Sequence, residues 1–301
     1  MRFISTELEL ERKCFFFSFL CGGKIKKNKN MIEINKNYNE SNLDTMAKMP
    51  DGFIDLTVTS PPYDNLRTYN GYSFDFESVA KELFRVTKQG GVVVWVVGDA
   101  TIKGSETGTS FKQALYFKDI GFNLHDTMIY EKNGFRFPFP NRYHQTFEYM
   151  FIFSKGSPKT FNGIKDRKNI HTNRAGKNMK REQDGTKTYR KSFTPEEYGK
   201  RYNVWRYNIG GKKEHNHPAI FPEQLANDHI ISWSNEGDLV YDPFMGSGTT
   251  AKMAILNKRN WVGSEISSEY CDIIEERIKK AWEEKRKEKD ITDETQIGEQ
   301  M

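Results

Sequence analysis

Two short stretches hold the residue types best suited to chemistry. They are Thr59-Ser60-Pro61-Pro62-Tyr63 and Asp242-Pro243-Phe244-Met245-Gly246-Ser247-Gly248-Thr249-Thr250, and each follows an apolar, strand-like run. The first offers a hydroxyl, a carbonyl and an aromatic face, a set that suits a flat amine. The second is a glycine turn entering a helix. Glycine lets backbone N–H groups approach a ligand closely, and a helix N-terminus favours a carboxylate or phosphate. Thr249 and Thr250 would add hydroxyl donors. Glu265 follows the next strand, where an acidic residue grips a ribose diol. The turn has no Gly-Lys-Ser/Thr, so it suits an amino-acid carboxylate plus adenosine better than a nucleotide triphosphate. Taken alone, the glycine turn could be only a tight strand-to-helix connection, and Ser-Pro-Pro-Tyr only a proline-rich turn.

The elements that must position these groups follow from periodicity. Ile32 and Ile34 open a strand, residues 43–49 have helical spacing, and 54–58 is a short buried strand. Pro61-Pro62 ends it. A helix is predicted over 76–86, stopped by Gly90-Gly91. Val92-Val93-Val94-Trp95-Val96-Val97 shows no alternation, the mark of a strand buried on both faces. Then come a helix over 111–120, strands over 124–130 and 148–153, and an aperiodic stretch over 156–203. A helix over 222–233, a strand over 239–241, a helix over 249–257, a strand over 261–263 and a helix over 270–282 complete the pattern. Strands alternating with helices imply an open, mainly parallel α/β sheet covered on both faces. Ligands of such sheets sit beyond the carboxyl ends of the strands, where both motifs fall. Asp55 and Asp99 also stand at strand ends. Asp99 fits either the cofactor cleft or a helix cap.

Composition bounds the reading. The 301 residues are 36% hydrophobic and 29% charged, with a net charge of +5 and pI near 8.8. That suits a soluble globular protein and permits a polyanionic partner. Residues 165–201 hold twelve Lys/Arg against five Asp/Glu, a net +7 that exceeds the whole-chain excess. The three cysteines, Cys14, Cys21 and Cys271, form no C-x-x-C pair, so no metal site is expected. They fit a reducing cytoplasm. No Pro-Cys dipeptide occurs, which disfavours methylation of cytosine carbon 5 through a cysteine nucleophile. The run Cys14 to Cys21 is too short to cross a bilayer. Residues 1–30 read as a disordered leader or upstream start, with the protein proper beginning near Met31.

In this order, the two motifs resemble those of the circularly permuted β group of S-adenosyl-L-methionine-dependent DNA amino-methyltransferases, the N4-cytosine/N6-adenine family. The resemblance covers roughly Ile32 to Trp282 and includes Asn216-His217-Pro218-Ala219-Ile220-Phe221-Pro222. It implies a Rossmann-like methyltransferase fold with permuted motif order. Residues 31–160 would be the catalytic half, 161–203 a basic target-recognition insert, 204–284 the cofactor-binding half and 285–301 a charged tail. The cofactor would be S-adenosyl-L-methionine, held by Asp242, Phe244, Gly246, Gly248, Thr249, Thr250 and Glu265, with Pro218 near the methionine end. Ser41 stands where the family often has aspartate, so that segment is left out of the site.

An exocyclic amine is a poor nucleophile because its lone pair is delocalised into the ring. Ser60 Oγ and the Pro61 carbonyl can accept hydrogen bonds from its two N–H groups and draw the nitrogen toward a tetrahedral state. Pro61 and Pro62 stiffen the loop, and Tyr63 offers a stacking face. The base must be extruded from the duplex to reach them. Phe147 and Tyr149 are candidates for lining that pocket by the family's pattern, or else ordinary strand core. The insert would read double-stranded DNA through Arg174, Lys177, Lys180, Arg181, Arg190 and Lys191, beside Arg167, Lys168 and Lys187. Serine at the first motif position favours N4 of cytosine, with N6 of adenine the alternative. An RNA or protein amine methyltransferase and an inactive DNA-binding subunit are further alternatives. A cognate restriction endonuclease is a candidate partner.

Overall fold

The computed structural model describes residues 32–62, 75–134, 140–170, 179–189, 194–208 and 222–298, with side chains to residue 287. Residues 1–31 lie outside the described residues, as do Tyr63, Arg174, Lys177, Arg190, Lys191 and Pro218.

Eight strands form one sheet: β1 (Lys36–Tyr38), β2 (Ile54–Thr59), β3 (Thr87–Val97), β4 (Asn123–Lys132), β5 (Phe147–Ser154), β6 (Val204–Tyr207), β7 (Leu239–Asp242) and β8 (Asn260–Ser264). Their spatial order is β1-β8-β7-β2-β3-β5-β4-β6. Every pairing is parallel except those of β5, which runs antiparallel to β3 and β4. This is the Rossmann-like, mainly parallel open sheet.

Helices α1 (Asn42–Ala47), α2 (Phe76–Val86) and α3 (Thr109–Asp119) cover one face, and α4 (Glu223–Trp233), α5 (Thr249–Leu256) and α6 (Ser268–Gly298) the other. The alternation of β3 shows this directly. Val93, Trp95 and Val97 join the cluster with Leu83 and Phe117; Val92, Val94 and Val96 join the one with Leu225, Ala254 and Ile274. A strand buried on both faces has no polar side to display, hence its unbroken apolar run.

Two expectations are corrected, and two elements extend beyond what was expected. The first strand starts at Lys36, not Ile32, and Ile34 is exposed. Gly90-Gly91 does not end α2; Thr87 does, its hydroxyl donating to the Leu83 carbonyl. The glycines instead lie within β3, where the register against β2 jumps from Ile54↔Thr87 to Leu56↔Val92. Gly90 holds φ +82°, and a Cβ on Gly91 would sit 3.0 Å or less from Thr87 Cγ2 and two backbone oxygens. Strand β6 was not expected, although Trp205 and Tyr207 are buried between exposed Val204 and Arg206. Finally, the charged tail continues α6 to Gly298. Among the described residues no helix is long and apolar enough to cross a membrane.

Candidate active site

The carboxyl ends of β1, β2, β3, β7 and β8 share one edge of the sheet, and antiparallel β5 begins there, with Tyr149 opposite Val97. The chain therefore delivers Ser60, Asp242 to Gly248, Glu265, Asp99 and Phe147 to one side.

The glycine turn follows β7 directly. Gly246 has φ +54° and Gly248 φ +82°, a conformation that favours glycine. Gly248 is the N-cap of α5, and among the described residues no side chain caps that helix. At Gly248 a Cβ would also meet Ile274 Cγ1 at 3.2 Å. Glu265 closes the turn from the end of β8: Gly246 N–H donates to its Oε2 at 2.8 Å and Ser267 N–H to its Oε1 at 2.9 Å. Burial raises the Glu265 carboxyl above its usual range, opposed by these N–H groups. Phe244 is half-buried, its ring 6.2 Å from that of Trp95.

Asp242 joins the two motifs. Its Oδ1 accepts from Thr59 Oγ1 at 2.6 Å and from Phe244 N–H at 3.0 Å; its Oδ2 accepts from Thr250 Oγ1 at 2.7 Å. Thr250 Oγ1 also lies 3.2 Å from the Val58 carbonyl. The side chain is buried, which raises its carboxyl pKa, while the three donors pull it back. Ser60 follows Thr59 immediately, half-buried, with Pro61 buried and Pro62 half-buried. The Thr250 hydroxyl, expected as a ligand donor, donates within the protein, whereas Thr249 Oγ1 accepts from Arg277 at 3.2 Å, a bond that does not use its own proton.

Arg277 is the residue sequence reasoning missed. Its buried guanidinium donates to the Ser247 carbonyl and hydroxyl, both at 2.7 Å, and to Glu223 Oε1 at 2.6 Å. It thus props the glycine turn against the first residue of α4. Asn39 and Asn42, in the segment left out of the site, also reach it. Asn39 Nδ2 donates to the Glu265 carbonyl, and Asn42 Nδ2 to that of Pro243. Ser41 is the N-cap of α1.

Asp99 takes the cap role. It accepts from Ser110 N–H at 2.9 Å, at the start of α3, and from the Ser110 and Thr107 hydroxyls. Asp55 accepts from Lys88 and from Leu239 N–H. Phe147 and Tyr149 form an aromatic row with Phe111, rings 5.3–5.4 Å apart, and Phe147 and Phe111 are exposed.

The basic insert is rooted at both ends. Arg167–Lys168 pairs antiparallel with Tyr198–Gly199. Arg201 bridges Asp166 to Asp228, a buried residue of α4, and donates to Tyr207 Oη at 3.1 Å. Burial alone would raise the Asp228 pKa, but Arg201, Asn227 and Tyr207 hold it below its usual value. Between these roots, Met179–Arg181 and Lys187–Tyr189 form an exposed two-stranded ribbon carrying Lys180 and Arg181.

The comparisons with known proteins agree with this geometry. Residues 54–276 match the model of the N6/N4 DNA methylase family. The chain is 64% identical over 239 residues to the orphan methyltransferase M.BamHII of Bacillus amyloliquefaciens, covering 76% of this chain and 90% of that one. The PvuII DNA methyltransferase, cytosine-N4-specific, shares its fold with a TM-score of 0.61 at 20% identity, covering 82% of this chain and 87% of that one. TTHA0409 of Thermus thermophilus, solved with S-adenosyl-L-methionine, does so with a TM-score of 0.55 at 22% identity, covering 81% and 95%. With both motifs brought to one edge of a Rossmann-like sheet, and the family match spanning both, the chain belongs to the N6/N4 DNA methylases.

Proposed function

We propose that this DNA methyltransferase takes its methyl group from S-adenosyl-L-methionine and places it on N4 of a flipped cytosine, with N6 of adenine as the alternative target. The observation that carries the reading is the Asp242 bridge. One carboxylate fixes Thr59, the neighbour of Ser60, and the turn through Phe244 and Thr250, so the acceptor loop and the cofactor turn share an anchor. The residues present fit the cofactor: α5 offers an N-terminus that no described side chain caps, and Glu265 stands one strand over.

When bound, the cofactor supplies a methyl carbon on a sulfonium leaving group, open to in-line attack by the amine. The chain's own residues then have separate tasks. Gly246 and Gly248 allow the backbone close approach, Phe244 packs beside the ligand, and Glu265 takes the ribose hydroxyls. Pro218, outside the described residues, is assigned to the methionine end by the family resemblance. Asp242, Thr249, Thr250 and Arg277 hold the turn in shape. Ser60 Oγ and the Pro61 carbonyl accept hydrogen bonds from the two amine N–H groups, Tyr63 stacks on the base, and the proton released as the N–C bond forms leaves to solvent. No covalent enzyme intermediate is needed; the acceleration comes from positioning and electrostatics. The insert supplies DNA contacts, and DNA as substrate agrees with a cytoplasmic location. A cognate endonuclease is not part of the proposal, since M.BamHII is itself named an orphan.

The test is direct. The chain is incubated with duplex DNA and S-adenosyl-L-methionine, and the digested nucleosides are identified by mass spectrometry. N4-methylcytosine is expected. N6-methyladenine would select the alternative, and a 5-methylcytosine product would overturn both.

Two further outcomes follow from the pocket. Glu265→Ala should weaken S-adenosyl-L-methionine binding about 10–100-fold, the usual scale for hydrogen bonds to a charged group. Glu265→Gln should fall between, and unchanged calorimetric affinity in both variants would remove Glu265 from the ribose site. Arg277→Met should raise the KM for cofactor about tenfold by releasing the turn, with kcat at saturating cofactor largely kept. A fall in kcat alone would assign Arg277 elsewhere.

A further inference from the structure

Among the described residues the ribbon in the insert is hydrogen-bonded only to itself. Its turn is well specified: Glu182 N–H donates to the Thr186 carbonyl, Gly185 takes φ +84°, and Asp184 Oδ1 accepts from Thr186 N–H and Oγ1. Direct cross-strand partners point to the same face. The pairs Arg181↔Lys187 and Met179↔Tyr189 therefore share one face, and Lys180↔Thr188 the other.

The two faces differ in chemistry. On the back, Lys180 Nζ is 2.9 Å from Glu182 Oε2, and Thr188 Oγ1 donates to Glu182 Oε1 at 2.8 Å. That charge is neutralised inside the ribbon. On the front, no ion pair holds Arg181 or Lys187 among the described residues, and Met179 and Tyr189 are 50% and 67% exposed. A two-stranded hairpin with no covered face is marginal in water. A surface of two cations and two large apolar groups calls for a partner of matching charge and width. The DNA major groove is lined by phosphates and admits a two-stranded ribbon.

The geometry points to the ribbon 179–189 as a major-groove probe that docks by its front face. Arg181 reads a base edge or phosphate, Lys187 neutralises a phosphate, and Met179 and Tyr189 make the apolar contacts. Lys180, equivalent to Arg181 by sequence, is turned away. This rests on the DNA-methylating function proposed above and adds which residues of the insert carry it.

The full-length chain tests it. Sites methylated by the wild type are first mapped on a plasmid, and a fluorescent duplex carrying one site is then titrated at several salt concentrations. Arg181→Ala with Lys187→Ala should weaken binding about 10–100-fold and reduce the salt slope by about 1–2. Lys180→Ala should stay within about twofold, because its charge is already paired. Calorimetric affinity for S-adenosyl-L-methionine should be the same in all variants, which reports an intact fold. If Lys180→Ala matches the front-face variant, or if the front-face variant binds like wild type, the ribbon proposal fails while the enzyme's function stands. If the wild type transfers no methyl group to duplex DNA, the function itself fails and the ribbon proposal with it.

Discussion

Replacing Ser60 by alanine is expected to slow methyl transfer in a single turnover about 10²–10³-fold, the scale seen when one preorganised polar contact to a transition state is removed. Ser60 follows Thr59, whose hydroxyl is fixed on Asp242, so its backbone position is set before substrate arrives. The proposed acceptor matters most as the amine becomes tetrahedral and its N–H groups more acidic. A contact that strengthens in the transition state changes rate, not ground-state affinity. Duplex and cofactor affinities should therefore stay within about twofold, since phosphate contacts supply most DNA binding. Ser60→Asn or Ser60→Asp keeps an acceptor and should recover part of the loss. Tyr63→Ala should also be slow and Tyr63→Phe milder, because stacking survives loss of the hydroxyl. A near-normal rate for Ser60→Ala would end the acceptor role.

Whether a feature could be read from the sequence depended on whether its cause was local. The fold's central strand was legible because Val92 to Val97 is apolar at every position, and only a strand between two helical layers needs that. The ends of β2 and β7 were legible because proline and glycine punctuate them. Strand β6 was not: Val204 to Tyr207 alternates over too few residues, and its partner β4 lies on the far side of the insert. Gly90-Gly91 carries the same letters whether it stops a helix or bulges a strand, and only the register with β2 decides. The site divides in the same way. The motif residues sit in adjoining positions, so their grouping shows. Arg277 reads as one more charge on a charged helix, and what buries it is a turn far earlier in the chain. Lys180 and Arg181 are neighbours in sequence, and only the pairing of the ribbon separates their faces.

Asp242→Ala is expected to cost about 2–4 kcal/mol of stability and to abolish most activity, because it leaves the buried donors of Thr59, Thr250 and Phe244 without their acceptor. Asp242→Asn should do neither. Its amide oxygen can still accept from Thr59 and Phe244, while its NH₂ donates to Thr250 Oγ1, which can pass its own proton to the Val58 carbonyl 3.2 Å away. The pH dependence gives a second check. Burial raises the folded-state pKa of Asp242 above the ordinary 3.8. Its contribution to stability is therefore fully present below the unfolded pKa and is lost as pH rises through the folded one. Glu265, raised for the same reason, acts in the same direction. The difference in unfolding midpoint between the wild type and Asp242→Asn isolates this group from carboxyls held below their usual range, such as Asp228 and Glu223, and it should shift in favour of Asp242→Asn as pH rises from the ordinary carboxylate range. Denaturant titration across pH, paired with cofactor calorimetry, separates two roles for this residue. A brace tolerates asparagine and not alanine; a carboxylate that touched the cofactor would lose affinity in both. If Asp242→Asn loses as much cofactor affinity as Asp242→Ala, the charge itself is required at the ligand. The shared anchor between the two motifs would then not explain why they act together.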